Sequence, residues 1–230
     1  MTQIFGRLIR AAAIATTLGM PLAHAAVIDF ESQDLTGLYF PGDSFSQGDF
    51  TLTTAQGFGT IDVAASLGSL APTGNATQFY FNGNDATLSL ARTDGSLFSL
   101  SGFSAAFVPQ EPAVAQTTVL VAVGIKEDNS TVSAYWTFAS SATSHFPFST
   151  YASAADFAAF GSVKSIEFRS CTLIGGLTCS VPTMNNGQFA IDDIVVASAV
   201  PEPATMLSMA LGLLGLGLVR RAGRARRDAR

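Results

Sequence analysis

The chain of 230 residues contains two cysteines, Cys171 and Cys179, which are its first candidates for chemistry. Seven residues, TLIGGLT, separate them, and the Gly-Gly pair suits a tight turn. In an oxidising compartment the two thiols are expected to form a disulfide. Closing so short a loop contributes about 2 to 3 kcal/mol on the entropic model. A zinc site is not expected, because the chain offers no further Cys ligands.

Catalytic constellations are poorly represented. The segment PGDSFS resembles the Gly-Asp-Ser block of GDSL-type hydrolases, in which Ser44 would be the nucleophile. That family also needs an Asp-x-x-His pair, but Ala142 stands three residues before His145. Glycoside hydrolysis needs two carboxylates about 5 to 10 Å apart, and only four Glu precede residue 200. We therefore predict that the protein is not an enzyme.

The elements that must position these side chains are predicted to be β-strands. Between residues 26 and 199 the sequence is rich in Phe, Thr, Ser, Ala, Gly and Val, and strong helix formers are scarce. Short alternating runs are separated by Gly, Asn and Asp. Nine runs are predicted as strands: 27–31, 49–55, 77–82, 86–91, 96–108, 117–126, 131–138, 162–170 and 188–197.

Turn residues connect these runs. NGND, residues 82–85, predicts a hairpin between the third and fourth runs, and EDNS, residues 127–130, predicts one between the sixth and seventh. Residues 153–161 predict a single helical turn. Strands at about ten-residue spacing without intervening helices are typical of an all-β, two-sheet sandwich of the jelly-roll type.

The first and last runs carry a resemblance. VIDFE (27–31) and FAIDDIVV (189–196) resemble the opening and closing strands of carbohydrate-binding jelly rolls and related galactose-binding-like domains. In several of those domains a structural calcium lies between these strands. The resemblance implies that Glu31 and one of Asp192 and Asp193 bind calcium together with backbone carbonyls, which suits a cation that takes six to eight oxygens.

Strand alternation adds a constraint on the two aspartates. It places Asp193 on the face of Phe189 and Ile191, and Asp192 on the face of Ile194. At least one carboxylate therefore shares a face with apolar side chains and needs a partner or a metal.

The N-terminal residues 1–25 have the order of a secretory signal peptide. Arg7 and Arg10 precede an apolar stretch over 11–22, and Ala23-His24-Ala25 is a small-x-small cleavage site. Cleavage is predicted after Ala25, with the Sec translocon and signal peptidase as partners. The β-sandwich domain is then predicted over 26–199, followed by a C-terminal sorting region over 200–230.

The C-terminal region has three parts. Pro201, Glu202 and Pro203 predict an extended spacer. Residues 204–219 carry no charge and predict one transmembrane helix. The arginine-rich tail at 220–230 is expected to remain cytoplasmic, which places the domain outside. The arginines that would stop the helix at the membrane are Arg220, Arg221, Arg224, Arg226 and Arg227.

Charge excludes nucleic acid as a partner. Between residues 26 and 203 there are four Lys and Arg against 16 Asp and Glu. Such an acidic domain repels phosphate. The net charge of −5 hides this asymmetry, because the terminal arginines offset the acidic middle.

Pro201-Glu202-Pro203, the glycine-rich apolar run and the arginine cluster, on a chain with a signal peptide, resemble the PEP-CTERM sorting region of Gram-negative exported proteins. The resemblance implies recognition by an exosortase, a membrane-embedded enzyme that cuts near the motif. Such proteins occur in bacteria that make extracellular polysaccharide. The chain is therefore expected in the inner membrane before processing, and afterwards in the envelope, at the outer surface or in the extracellular matrix.

Two functions follow for the domain. The first is a non-enzymatic structural or adhesive protein linked to exopolysaccharide. The second is a carbohydrate-binding module or weak glycoside hydrolase that uses the same export route. Aromatic residues bear on the second, because an exposed Tyr or Trp can stack on a sugar ring. Alternation puts Tyr135 and Trp136 on opposite faces of a strand, so that one is buried while the other faces outward.

Overall fold

Strands make up most of the described chain, as the β-rich composition predicts. The computed structural model describes residues 25–35, 37–109, 118–139, 145–174, 178–180 and 187–198. Within these ranges the strands are β1 (Ala25–Ile28), β2 (Leu38–Tyr39), β3 (Ser44–Gln47), β4 (Phe50–Asp62), β5 (Phe79–Arg92), β6 (Phe98–Phe107), β7 (Thr118–Ile125), β8 (Thr131–Thr137), β9 (Ser149–Tyr151), β10 (Ser165–Ile174), β11 (Thr178–Ser180) and β12 (Phe189–Ser198).

The expected helical turn is confirmed and is short. Helix α1 spans Ala154–Phe157 and continues into a 3-10 turn at Ala158–Phe160. Two further 3-10 turns, Ala64–Ser66 and Gly68–Leu70, lie between β4 and β5.

The strands form two antiparallel layers that face each other. The first sheet has the order β8, β7, β10, the second half of β5, the first half of β4, and β3. The second has the order β9, β6, β12, the first half of β5, the second half of β4, and β2, with β1 also paired to β12. The predicted all-β, jelly-roll-like sandwich is thus confirmed.

The hairpin predicted at NGND is wrong. Residues 79–92 form one strand that stays paired with β4 on both sides of the sequence NGND. Asn84 and Asp85 adopt φ values of 60° and 52°, but they produce a bulge, with register shifts in the pairing with β4. The bulge lets β5 leave one sheet and enter the other. Asp85 fixes the bend by accepting a hydrogen bond from the backbone N–H of Gly187 at 2.6 Å.

The main core lies between the two sheets and is rich in Phe. Phe103 of β6 contacts Trp136 of β8, with ring centroids 4.9 Å apart, and Phe168 of β10 at 5.7 Å. Phe50 and Phe98 pack edge to face across the sandwich at 5.3 Å. All five of these side chains are nearly inaccessible to solvent. Their burial provides the main stabilisation of the layered fold.

A second apolar cluster covers the outer face of the second sheet. It consists of Phe79, Phe81, Val108 and Ala190, with Phe58, Ala64, Leu67, Leu70 and Phe148 packed against it. Residues 63–78, which we call the cover segment, supply three of these side chains. The segment is tied down at Thr73, whose backbone pairs with Phe146 and Phe148 at 3.0 and 2.8 Å. Both faces of the second sheet are therefore buried in this region.

Candidate functional site

The carboxylates implicated by the sequence meet the cover segment. Asp192 of β12 is 1% exposed. One of its carboxylate oxygens accepts hydrogen bonds from Asn75 Nδ2 at 2.7 Å and from Thr77 Oγ1 at 3.2 Å. The other accepts the backbone N–H of Asp193 at 2.7 Å. Glu31 accepts the backbone N–H of Gln78 at 2.7 Å. Both acids thus hold the same end of the cover segment.

A bulge in β12 places the neighbouring residues Asp192 and Asp193 in different environments. Asp193 has φ 49°, and the pairing with β6 shifts register between Asp192 and Val195. As a result Ile191 and Ile194 both face the main core, so the regular alternation predicted across Asp192 and Asp193 is wrong. Asp193 is exposed, and Ser104 Oγ lies 3.4 Å from its carboxylate. Asp192 is therefore the aspartate that, like Glu31, holds the cover segment.

Burial changes the acidity of Asp192. Desolvation raises the pKa of its carboxyl to about 6, although the hydrogen bonds from Asn75 and from the amide of Asp193 act in the opposite direction. No Lys or Arg within the described ranges forms an ion pair with it. The charged form is consequently stabilised by neutral donors alone.

The side chains around Asp192 and Glu31 offer the oxygen ligands that a hard cation prefers. Carboxylate, carboxamide and hydroxyl oxygens from Glu31, Asp192, Asn75 and Thr77 are the donors that calcium prefers. A buried carboxylate without a cationic partner would also gain from one. Across the part of the chain that the structure describes, no three His, Cys, Asp or Glu side chains group around a common point. A cation would therefore depend on two carboxylates and neutral oxygens.

The cysteines lie in a short hairpin of β10 and β11. The register pairs Leu173 with Cys179, which places Cys171 two residues further along the same face of β10. Cys171 is completely buried. The side chain of Cys179 is outside the described residues, so the disulfide stays a prediction.

The second candidate site is the outward side of β8, β7 and β10, which we call the open face. The register places Tyr135, Val121 and Arg169 in one row across these three strands. Neighbouring rows contain Ser133, Val123 and Glu167 on one side and Thr137, Val119 and Cys171 on the other. The residues between them in sequence, including Trp136 and Phe168, point into the core. A row of aromatic, apolar and cationic groups therefore crosses the sheet.

A groove of about 390 Å³ lies on the open face, a size within the usual range for ligand sites. Its floor is Val119, Val121 and Val123, with Tyr135 and Arg169 on either side. Tyr135 is 64% exposed, whereas Trp136 is 6% exposed. The expected division between one buried and one outward aromatic residue is confirmed. Tyr80, by contrast, is buried together with Phe79 and Phe81, because both faces of β5 are covered there.

The residues of the hydrolase-like segment do not assemble. Ser44 bonds Thr53 Oγ1 at 2.8 Å on the exposed side of the first sheet. His145 Nδ1 lies 3.0 Å from the carbonyl oxygen of Ala71, in the cover segment. Ser44 lies in β3 and His145 lies between β8 and β9, and among the described residues no hydrogen bond joins the two side chains as a nucleophile–base pair.

Sequence reasoning missed several contributors to both sites. Asn75 and Thr77 reach Asp192 across more than a hundred residues of sequence. Arg169 joins Tyr135 only through the placement of β10 beside β7. The EDNS turn fixes β8 opposite β7, but no local signal identifies the third strand of the open face.

The sorting residues predicted from the sequence fall outside the described residues. This applies to residues 1–24 of the predicted signal peptide, to Pro201, Glu202 and Pro203, to the helix at 204–219 and to the arginine tail. Ala25, the last residue of the predicted signal peptide, is the first residue of β1. Within the described ranges, none of the helices has the length and apolar character that a membrane span requires.

Comparison with protein-family models identifies the C-terminal region. The model of the PEP-CTERM protein-sorting motif matches residues 199–221, which confirms the resemblance. The chain therefore carries the sorting motif of exported, membrane-anchored proteins that an exosortase processes. The match covers only the sorting region, and it leaves the role of the β-sandwich open.

Comparison with solved structures supports the fold. A DUF4465 family protein from Bacteroides caccae has 12% identity and a TM-score of 0.51 over 76% of this chain and 99% of that one. The xylan-binding CBM22-1 domain of Paenibacillus barcinonensis Xyn10C has 10% identity and a TM-score of 0.35 over 80% and 99%. At these identities the likeness concerns the fold alone, and the second score carries no argument. A search of curated proteins gave no significant match.

Proposed function

We propose that the protein is a non-enzymatic adhesive component of the envelope or extracellular matrix, which an exosortase delivers and which binds extracellular polysaccharide through the open face. The observation that carries the proposal is the row of Tyr135, Val121 and Arg169 over an apolar groove. An exposed tyrosine offers an apolar ring face to a sugar, and the flanking Arg169, Thr131 and Ser133 offer donors to its hydroxyl groups.

Binding is favoured over hydrolysis by the composition of the groove. Its described lining includes hydroxyl, apolar and guanidinium groups but no carboxylate. Glycoside hydrolysis uses two carboxylates that flank the bond to be cut. A surface that holds a polysaccharide without cutting it suits an adhesive role. The proposal therefore combines two functions considered from the sequence, the non-enzymatic adhesive protein and the carbohydrate-binding module.

The carboxylate site is proposed to hold a structural calcium between Asp192 and Glu31. The ion would supply the positive charge that the buried carboxylate of Asp192 lacks among the described side chains. Its role would be to fasten the cover segment to β12 and to the chain after β1. The open face does not depend on this ion, since it belongs to the other sheet.

Two experiments test the proposed function. Full-length protein in detergent should bind at least one glycan class on an array of bacterial and plant polysaccharides, and Tyr135→Ala should remove most of that binding. Tyr135→Phe is the matched control, because it keeps the ring and is expected to retain affinity. An array without reproducible signals would contradict the binding role.

The delivery route is tested by processing of the chain in cells. Wild-type protein should lose its C-terminal region in cells that contain the exosortase, and Glu202→Ala should accumulate in the membrane at the unprocessed size. Identical processing of both proteins, or equal processing without the exosortase, would argue for a permanent membrane anchor instead.

A further inference from the structure

Arg169 is half-buried on the open face, and no described residue acts as its counterion. Within the described ranges its guanidinium has no hydrogen-bond or ion-pair partner. Arg92 shows the usual alternative, since it binds Asp94 at 2.9 Å, approaches Asp49 at 3.6 Å and donates to Ser198 at 2.8 Å. A guanidinium has five N–H donors in a planar fork. Those of Arg169 have no acceptor among the described residues, so they are available to a ligand.

The surroundings of Arg169 favour a bidentate acceptor. Val121 lies directly opposite it on β7 and, with the other groove valines, gives the site an apolar floor. Carboxylate and guanidinium groups form paired, charge-assisted hydrogen bonds. Such pairs gain strength where part of the water has been excluded. A carboxylate is therefore the ligand group that fits Arg169 best.

General electrostatic attraction does not account for such a preference. The region between residues 26 and 203 has four basic against 16 acidic residues, so the domain as a whole repels polyanions. Glu167 faces the same side of β10 and lies about 7 Å further along the strand. The negative charge of Glu167 repels an anionic group. Such a group is therefore expected to bind in the row of Arg169 and not in the row of Glu167.

We infer that the open face selects acidic polysaccharides, with Arg169 receiving a carboxylate of a uronic acid or a similar sugar while Tyr135 supports a sugar ring. Tyr135 and Arg169 are two strands apart, about 10 Å, which leaves room for a sugar ring between them. The inference rests on the proposed binding role of the open face and adds the chemical class of its ligand.

The test compares acidic polymers with their uncharged forms. Full-length protein in detergent is titrated calorimetrically with polygalacturonate, alginate and hyaluronan, each beside its methyl-esterified form. We expect at least one acidic polymer to bind about tenfold or more tightly than its ester, as a charge-assisted hydrogen bond allows. Arg169→Gln should remove this preference, and Arg169→Lys should restore only part of it because lysine lacks the bidentate fork.

A control variant distinguishes the effect of losing Arg169 itself from the effect of lowering the total positive charge. Lys126→Gln removes the same charge from a residue after β7 that is not part of the groove lining, and it is expected to bind as wild type does. Equal affinity for the acidic and esterified polymers, unchanged by Arg169→Gln, would overturn the inference and leave the proposed binding role intact. Absence of binding to every polymer in both forms and to the glycan array would overturn both.

Discussion

The outer face of the second sheet carries Phe79 and Phe81 beneath the cover segment, whereas the outer face of the first sheet carries Tyr135 and Arg169 in contact with solvent. Each strand alternates its side chains in the same way. The difference arises in part from the connections, because the link between β4 and β5 folds over one sheet, whereas Tyr135 and Arg169 on the other sheet remain accessible to solvent. The covered face contributes stability, and the open face is the one that we propose for binding.

The largest expected effect tests the covered face. Phe79→Ala should lower the free energy of unfolding by about 3 to 5 kcal/mol, because it opens a cavity under the cover segment. Urea denaturation followed by tryptophan fluorescence measures this loss. A loss below about 1 kcal/mol would mean that the cover segment is not closely packed on Phe79.

The predicted disulfide should have the next largest effect. Reduction, or the double substitution Cys171→Ala and Cys179→Ala, is expected to cost about 2 to 3 kcal/mol by releasing the hairpin at the edge of the open face. Mass spectrometry of exported protein should find no alkylated thiol before reduction. Two free thiols in that sample would reject the disulfide.

Asp192 should link pH to the attachment of the cover segment. Its pKa is raised in the folded state from 3.8 to about 6, so its contribution is fully present below about pH 4 and is lost as pH rises through about 6. In calcium-free buffer the wild type should lose on the order of 2 kcal/mol over this range. Asp192→Asn should flatten the profile, as urea denaturation between pH 4 and 7 would show.

Calcium sharpens the same comparison. At pH 7 added calcium should raise the melting temperature of the wild type, because binding favours the folded form. It should leave Asp192→Asn unchanged. The exposed aspartate offers a control, since Asp193→Asn should keep the calcium response. A wild-type melting temperature that is the same in calcium and in EGTA would exclude the proposed ion.

The smallest expected effect is on the open face. Tyr135→Ala should change the free energy of unfolding by less than about 0.5 kcal/mol, as is usual for an exposed side chain. Loss of glycan binding without loss of stability would assign Tyr135 to recognition. Destabilisation comparable to that of Phe79→Ala would instead make the open face part of the fold.

Local sequence signals predicted the positions of the strands better than they predicted which strands pair with each other. The EDNS turn joins β7 and β8 as expected, since its residues suit a tight reversal. NGND failed because Asn84 and Asp85 adopt positive φ equally well in a turn and in a bulge. The short strands β2, β3, β9 and β11 were not predicted. Each is too short for a pattern of its own and forms by pairing with a longer neighbouring strand. Whether such a segment forms a turn, a bulge or a short strand depends on the strand that pairs with it.

The sequence by itself determined the strand-rich class, the acidic character and the sorting motif, because composition, charge and a contiguous peptide signal can be read locally. Only the tertiary structure decided that Asp192 rather than Asp193 holds the cover segment together with Glu31, and that Arg169 lies in one row with Tyr135. Both outcomes depend on strand register and on a bulge, which are set by packing between residues far apart in the chain.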